Sequence, residues 1–182
     1  SPGSLTMSQT LPGVGLNIFG YGVLITGKSG VGKTELGLEL ISRNHKFIAD
    51  DSVEVYKKQN LLKMKNTNEK YIMHIRDLGF INIPQIYGDK SVLPSCNLDI
   101  LININNDSSD IDPNLQAKRD LQLLECNITE YTLYMSNNRK LAILVEVIVK
   151  YHDNILKGID SHKDFINKHT LLLQGVHACS LY

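Results

Sequence analysis

At 182 residues the chain has the length of one domain and is long enough to bury a working core. Its 42% hydrophobic and 21% charged residues lie in the globular range, which excludes disordered and fibrous classes. Lysine plus arginine equals aspartate plus glutamate at 19 each, so no overall field draws the protein to nucleic acid or to an anionic membrane.

The first residues, Ser-Pro-Gly-Ser-Leu-Thr before Met7, lack the basic and apolar regions of a secretory signal. Residues 1–6 therefore read as an expression scar and 1–10 as a tail, leaving 11–182 as a single domain. Residues 21–26 read as a short buried strand with glycines at both ends, and a glycine-rich turn follows at once. Residues 34–43 carry good helix formers, with Leu36, Leu40 and Ile41 on one face and Asn44 placed for a left-handed cap. Residues 47–49 make a second buried strand. A strand, a helix and a strand in this order predict two parallel strands with adjacent carboxyl ends.

Residues 53–56 and 61–64 suggest additional antiparallel strands, separated by polar turns such as 66–69. A further strand is expected over 98–104, then a surface loop over 105–114 rich in Asn, Asp and Ser. From Leu141 the apolar residues recur at helical spacing, with Gly158 at the expected end. Ser161 with Asp164 resembles a capping box opening a last helix that carries Phe165, Ile166 and Leu173. The apolar stretch 141–149 is interrupted by Glu146 and is far shorter than the about 20 residues a membrane span needs. Cys96, Cys126 and Cys179 are odd in number and form no C-x-x-C pair, which fits a reducing cytoplasm better than a disulfide framework. The six histidines form no H-x-x-x-H pair and no cluster with cysteine, which argues against a zinc site.

Gly27, Lys28, Ser29, Gly30, Val31, Gly32, Lys33 and Thr34 fill every fixed position of G-x-x-x-x-G-K-[ST], between the strand and helix that this motif requires. Glycines let backbone N–H groups converge on phosphate oxygens, and the positive end of the following helix adds to them. Lys33 supplies a mobile cation for the β and γ phosphates, and Thr34 a hydroxyl for the Mg²⁺ that bridges them. Asp50 and Asp51 end the next strand, where parallel geometry brings them beside the phosphate loop. One such carboxylate serves the metal, and mutual repulsion raises the pKa of one member of the pair, making it a better proton acceptor.

Residues 22–35 with the phosphate loop, then Ala49-Asp50-Asp51, then Ile75-Arg76-Asp77-Leu78-Gly79-Phe80-Ile81-Asn82, resemble HPr kinase/phosphorylase. The last of these, an I-R-x-L-G-x-I-N signature, makes the resemblance specific. Residues 139–147, beginning Arg139-Lys140-Leu141-Ala142, resemble the family's R-N-L-A-V segment, so the likeness spans roughly residues 12–157. It implies an α/β fold with a P-loop-containing mixed sheet like that of phosphoenolpyruvate carboxykinase, followed by C-terminal helices, here without the family's N-terminal domain. It also implies transfer of phosphate from ATP or pyrophosphate to a serine of the phosphocarrier protein HPr, reversal by phosphorolysis, and assembly as hexamers. By position Lys33 holds the phosphates, Thr34 the Mg²⁺, Asp51 accepts the serine proton with Asp50 as its neighbour, and Arg76 and Arg139 are catalytic.

Three positions depart from the family pattern. Pro12 stands in place of an active-site histidine, and Ser136 in place of an arginine in the segment serving dephosphorylation. His74 replaces a metal-binding glutamate, and as a candidate metal ligand with Thr34 and Asp50 its imidazole suits a transition metal such as Mn²⁺ better than Mg²⁺. Arg119 is a candidate for the family's other catalytic arginine. These departures predict a kinase with weak phosphorolysis; the alternative is a nucleotide-binding regulatory protein without transfer activity.

Overall fold

The computed structural model describes residues 7–68, 70–106, 112, 115–136 and 138–174. In chain order these form β1 (Ser8–Leu11), β2 (Val14–Ile18), β3 (Tyr21–Gly27), α1 (Lys33–Ser42), β4 (Lys46–Asp50), β5 (Val53–Lys58) and β6 (Leu61–Asn66). Then come β7 (Ile72–Ile75), β8 (Gly79–Asn82), the short α2 (Ile83–Tyr87), a 3₁₀ turn (Asp89–Ser91), β9 (Ser95–Asn97) and β10 (Ile100–Asn105). The chain continues through β11 (Lys118–Leu123), β12 (Cys126–Tyr134), α3 (Leu141–Leu156) and α4 (Ser161–Leu173).

A six-stranded mixed sheet, ordered β11-β12-β10-β3-β2-β4, forms the centre. Its strands β3, β10 and β12 run parallel, so the phosphate loop after β3, Asn105 at the end of β10 and Tyr134 at the end of β12 emerge from one edge. Side-chain alternation divides the core between the two faces of this sheet. Val23, Ile25, Ile100 and Ile102 pack with Leu36 and Leu40 of α1 and Val145 and Val149 of α3. Leu24, Ile48 and Leu101 face the opposite way and pack with Val53, Val55 and Met64 of a second, four-stranded sheet, ordered β1-β5-β6-β9. A two-stranded ribbon, β7 with β8, stands beside α1.

Where the second sheet meets β3 the fit leaves no room for a side chain: a Cβ on Gly22 would lie 1.5 Å from the Asn97 carbonyl oxygen. The same point is tied by Asp99, whose carboxylate accepts from the Gly22 N–H at 2.8 Å and whose own N–H donates to the Gly22 carbonyl at 2.8 Å.

Several expectations are corrected. The tail expected at 1–10 is ordered from residue 8, because Ser8–Leu11 pair antiparallel with β5 as an edge strand of the smaller sheet. Its exposed polar residues gave no hydrophobic pattern to read. Strands β3 and β4 point the same way, but their ends are not adjacent, since β2 lies between them and is antiparallel to both. The β2–β3 hairpin closes through Phe19 and Gly20, both at positive φ, as a two-residue type I′ connection demands. Helix α4 is capped by Asp160, which accepts from the Lys163 N–H, rather than by Ser161.

The antiparallel strands at 53–58 and 61–66, the cap at Asn44 and the helix ending before Gly158 are as expected. Most of the expected surface loop at 105–114, with Glu69 of the 66–69 turn, Cys179 and His177, lies outside the described residues. No helix among the described residues is long and apolar enough to cross a membrane.

Candidate active site

The loop from Gly27 to Gly32 joins β3 to α1 with three glycines at positive φ: Gly27 at 145°, Gly30 at 81° and Gly32 at 99°. At Gly27 a side chain is also excluded by contact, because a Cβ there would sit 2.6 Å from the Ile104 carbonyl oxygen. Val31 is the loop's anchor, buried in the helix-side core, and its N–H donates to the Lys28 carbonyl at 3.2 Å. Lys28, Ser29 and Gly30 are left exposed at the tip. Lys33 opens α1, and its Nζ reaches back over the loop to donate to the carbonyls of Gly27 at 2.5 Å and Lys28 at 3.4 Å. Thr34 follows, half-buried, in the first turn of the same helix. A cation and a helix amino end thus converge on one loop, an arrangement suited to a polyphosphate.

Asp50 and Asp51 lie at the same sheet edge. Asp51 is exposed and takes a left-handed φ of 65°, held there by its N–H donating to the Gly13 carbonyl at 2.9 Å. Gly13 is a site residue that the sequence did not reveal, and Pro12 is its chain neighbour. Asp50 is half-buried, and burial together with the neighbouring Asp51 charge pushes its carboxyl up to about 7, against the opposing influences of the Asp51 backbone N–H and the Lys33 ammonium. The Asp50 carboxyl is therefore raised chiefly by burial, with the Asp51 charge as the second cause.

The remaining residues sit farther out. In β7, Met73 and Ile75 are buried against α1 and β4, so the alternating His74 and Arg76 are exposed. Arg76 occupies the turn between β7 and β8, while the His74 ring meets Phe80 edge-on at 5.0 Å. Among the described residues no three His, Cys, Asp or Glu side chains gather to hold a metal ion. Arg139 is exposed between β12 and α3, and its Nη1 donates to the Tyr134 carbonyl at 3.0 Å. The same segment reaches the phosphate loop through Met135, whose Cε would lie 3.5 Å from a Cβ on Gly32. Nothing in the residue type of Met135 signalled this role. Arg119 lies on β11, the outermost strand, where its Nε donates to Glu130 at 2.8 Å, and it joins none of the loop residues.

Comparison with known proteins gives this arrangement its relatives. Residues 3–169 match the family profile described as "HPr Serine kinase C-terminal domain". The HPr kinase/phosphorylase of Neisseria meningitidis serogroup C is 36% identical over 177 residues, covering 94% of this chain and 55% of that protein. That of Chromobacterium violaceum is also 36% identical, over 94% of this chain and 56% of its own. The chain thus spans about half the length of these curated relatives. The Hpr(Ser) kinase/phosphatase structure from Coxiella burnetii superposes with a TM-score of 0.75 at 27% identity, covering 82% of this chain and 99% of that one.

Proposed function

The chain belongs to the HPr serine kinase C-terminal domain family, and from that premise we propose that it is the catalytic domain of an ATP-dependent protein kinase acting on a serine of HPr. The observation that carries this reading is the placing of the Asp50–Asp51 pair at the sheet edge from which the phosphate loop rises, with Lys33 close enough to influence Asp50.

In the proposed reaction, loop N–H groups and Lys33 hold the β and γ phosphates, and Arg76 and Arg139 offset the charge that spreads over the transferring group. The serine hydroxyl oxygen attacks the γ-phosphorus, its proton passes to the exposed Asp51 carboxylate, and the bond to the bridging oxygen breaks to release ADP. Thr34 and Asp50 would hold a divalent cation: a hydroxyl and a carboxyl are hard oxygen donors that fit Mg²⁺ or Mn²⁺ completed by phosphate oxygens. When bound, the ion neutralises phosphate charge. His74, turned outward against Phe80, is left out of this set.

Phosphorolysis reverses the transfer from pyrophosphate: an oxygen of inorganic phosphate attacks the phosphorus of phosphoserine, the bond to the serine oxygen breaks, that oxygen takes up a proton, and pyrophosphate is released. Pro12, the chain neighbour of the Gly13 that accepts from the Asp51 N–H, carries no proton, and Ser136 carries no charge for the attacking inorganic phosphate, so this direction is the weaker one. The same two residues favour the second reading, a regulatory protein that binds nucleotide without transfer. Asp51→Asn separates the two: in a kinase it abolishes transfer and leaves nucleotide affinity intact, whereas in a sensor turnover is absent before and after.

The proposal extends to a sheet related to that of phosphoenolpyruvate carboxykinase, to a hexamer, and to a cytoplasmic setting. Exposed Leu78 and Phe80 on the ribbon and Phe165 and Leu172 on α4 offer apolar surface for assembly. The free thiols of Cys96 and Cys126 suit a reducing compartment.

A further inference from the structure

Strand β4 does not run evenly beside β2. Gly15 faces Ala49 and Leu16 faces Phe47, so Ile48 is an extra residue on β4 and forms a bulge. A bulged residue is left out of the ladder, bends its strand and re-aims the side chains that follow. Here the residues that follow are Ala49, Asp50 and Asp51.

One side chain takes the carbonyl of the bulged residue. Asn66, half-buried at the end of β6, donates from Nδ2 to the Ile48 carbonyl at 2.8 Å and to the Lys70 carbonyl at 3.0 Å. Its Oδ1 accepts from the Asn68 N–H at 2.9 Å. That last bond is a local turn, which serine or aspartate makes as well. The two bonds donated by Nδ2 need both hydrogens of an amide. Asn66 also stands across the β5–β6 ladder from Val53. The acid turn runs from Ile48 in β4, through Asp50 and Asp51, to Val53 in β5, so Asn66 meets both of its legs. On its other side Lys70 leads into β7, after which comes Arg76. A single amide therefore ties the acid turn to the strand that leads to the signature arginine.

We propose that Asn66 is a positioning residue for phosphoryl transfer, an inference that rests on the kinase reading above: it fixes the Ile48 bulge and so the stance of Asp50 and Asp51 against the phosphate loop. Transfer requires the acid within hydrogen-bond reach of the serine hydroxyl, and a misplacement of about 1 Å costs up to roughly a hundredfold in rate. Nucleotide affinity rests on the loop and Lys33, which Asn66 does not touch. Loss of its donors therefore acts on turnover and spares binding.

The test compares Asn66→Leu and Asn66→Asp, which keep nearly the same shape and lose the donors, with Asn66→Gln, which keeps both donors on a longer stem. Each is assayed well below its melting temperature for transfer to HPr at saturating ATP, for ATP affinity by calorimetry, and for exchange of the Asp51 amide hydrogen. The first two variants are expected to transfer about tenfold more slowly or worse, to hold ATP within about twofold, and to exchange the Asp51 hydrogen faster, while the third recovers part of the rate. Should Asn66→Leu fail to fold, Asn66→Asp, which keeps the Asn68 bond, gives the same readings. A purely structural role lowers the melting temperature and leaves transfer and Asp51 exchange in the folded protein unchanged; that result overturns the inference, as does an equal loss of transfer and ATP affinity. If the unaltered protein transfers nothing to HPr, the kinase reading fails and this inference with it, a result distinct from transfer that Asn66 does not affect.

Discussion

Asp50→Asn makes a pH-dependent prediction about stability. Burial and the adjacent Asp51 charge raise the Asp50 carboxyl from 3.8 to about 7. A carboxyl raised in the folded state binds its proton more tightly there than in the unfolded chain, so the folded protein is favoured at low pH and that advantage is lost as pH rises from about 4 to about 7. The shift corresponds to about 4 kcal/mol at 1.36 kcal/mol per pH unit. The half-buried side chain keeps part of its contact with water, which reduces this to about 2 kcal/mol. Asparagine keeps the shape and removes the charge. At pH 8 the variant is therefore expected to be more stable than the unaltered protein by about 2 kcal/mol, and at pH 4 the two should be nearly equal. With a urea slope of about 2 kcal/mol per molar, the unfolding midpoint rises by about 1 M at pH 8. A midpoint shift of the same size at both pH values, or a fall at pH 8, would refute the reasoning, because it would show that the Asp50 charge is not what burial penalises.

Gly22→Ala is expected to cost more than about 3 kcal/mol, read as a collapse of the thermal transition, because its Cβ would overlap a backbone oxygen that the paired sheets cannot move. Glu146 on α3 accepts from Arg43 Nε at 2.9 Å and from buried His45 Nε2 at 2.7 Å, and so joins the end of the phosphate-loop helix to α3. Glu146→Ala should destabilise by about 1–3 kcal/mol in urea unfolding, with Glu146→Gln recovering part of it. Starting from phosphoserine-HPr and inorganic phosphate, the reverse reaction, which releases pyrophosphate, is expected to be at least about tenfold slower than the forward one, a loss of roughly 1.4 kcal/mol of transition-state binding for the missing charge and proton carrier. Comparable rates in the two directions would show that Pro12 and Ser136 are not the positions that matter.

Motif and context made the centre of the site legible in the sequence. The phosphate loop had to follow a buried strand and open a helix, and both elements had unambiguous patterns at Val23-Leu24-Ile25 and at Leu36, Leu40 and Ile41. The acids were legible for the same reason. Strand β2 was not: it is short, contains Gly15, and its alternating Val14, Leu16 and Ile18 lie in a segment otherwise rich in glycine. Missing it placed β4 one strand too close to β3. Strand β11 escaped because its polar residues outnumber its apolar ones, and β12 because its buried Ile128, Tyr131 and Leu133 fall on both faces and keep no single alternation. The contacts made by Gly13 and Met135 depend on how loops from distant strands meet at the sheet edge, which no local pattern encodes. The raised Asp50 carboxyl also needed the fold, since its burial is encoded by no local pattern.

The most direct test of the account is the intact mass of HPr after incubation with this protein, ATP and Mg²⁺, with Mn²⁺ in a parallel tube. The account predicts a single added phosphate that is absent when the acceptor serine is replaced by alanine. Unchanged HPr with either metal, in a sample shown to bind ATP, would contradict it and leave a nucleotide-binding protein without transfer.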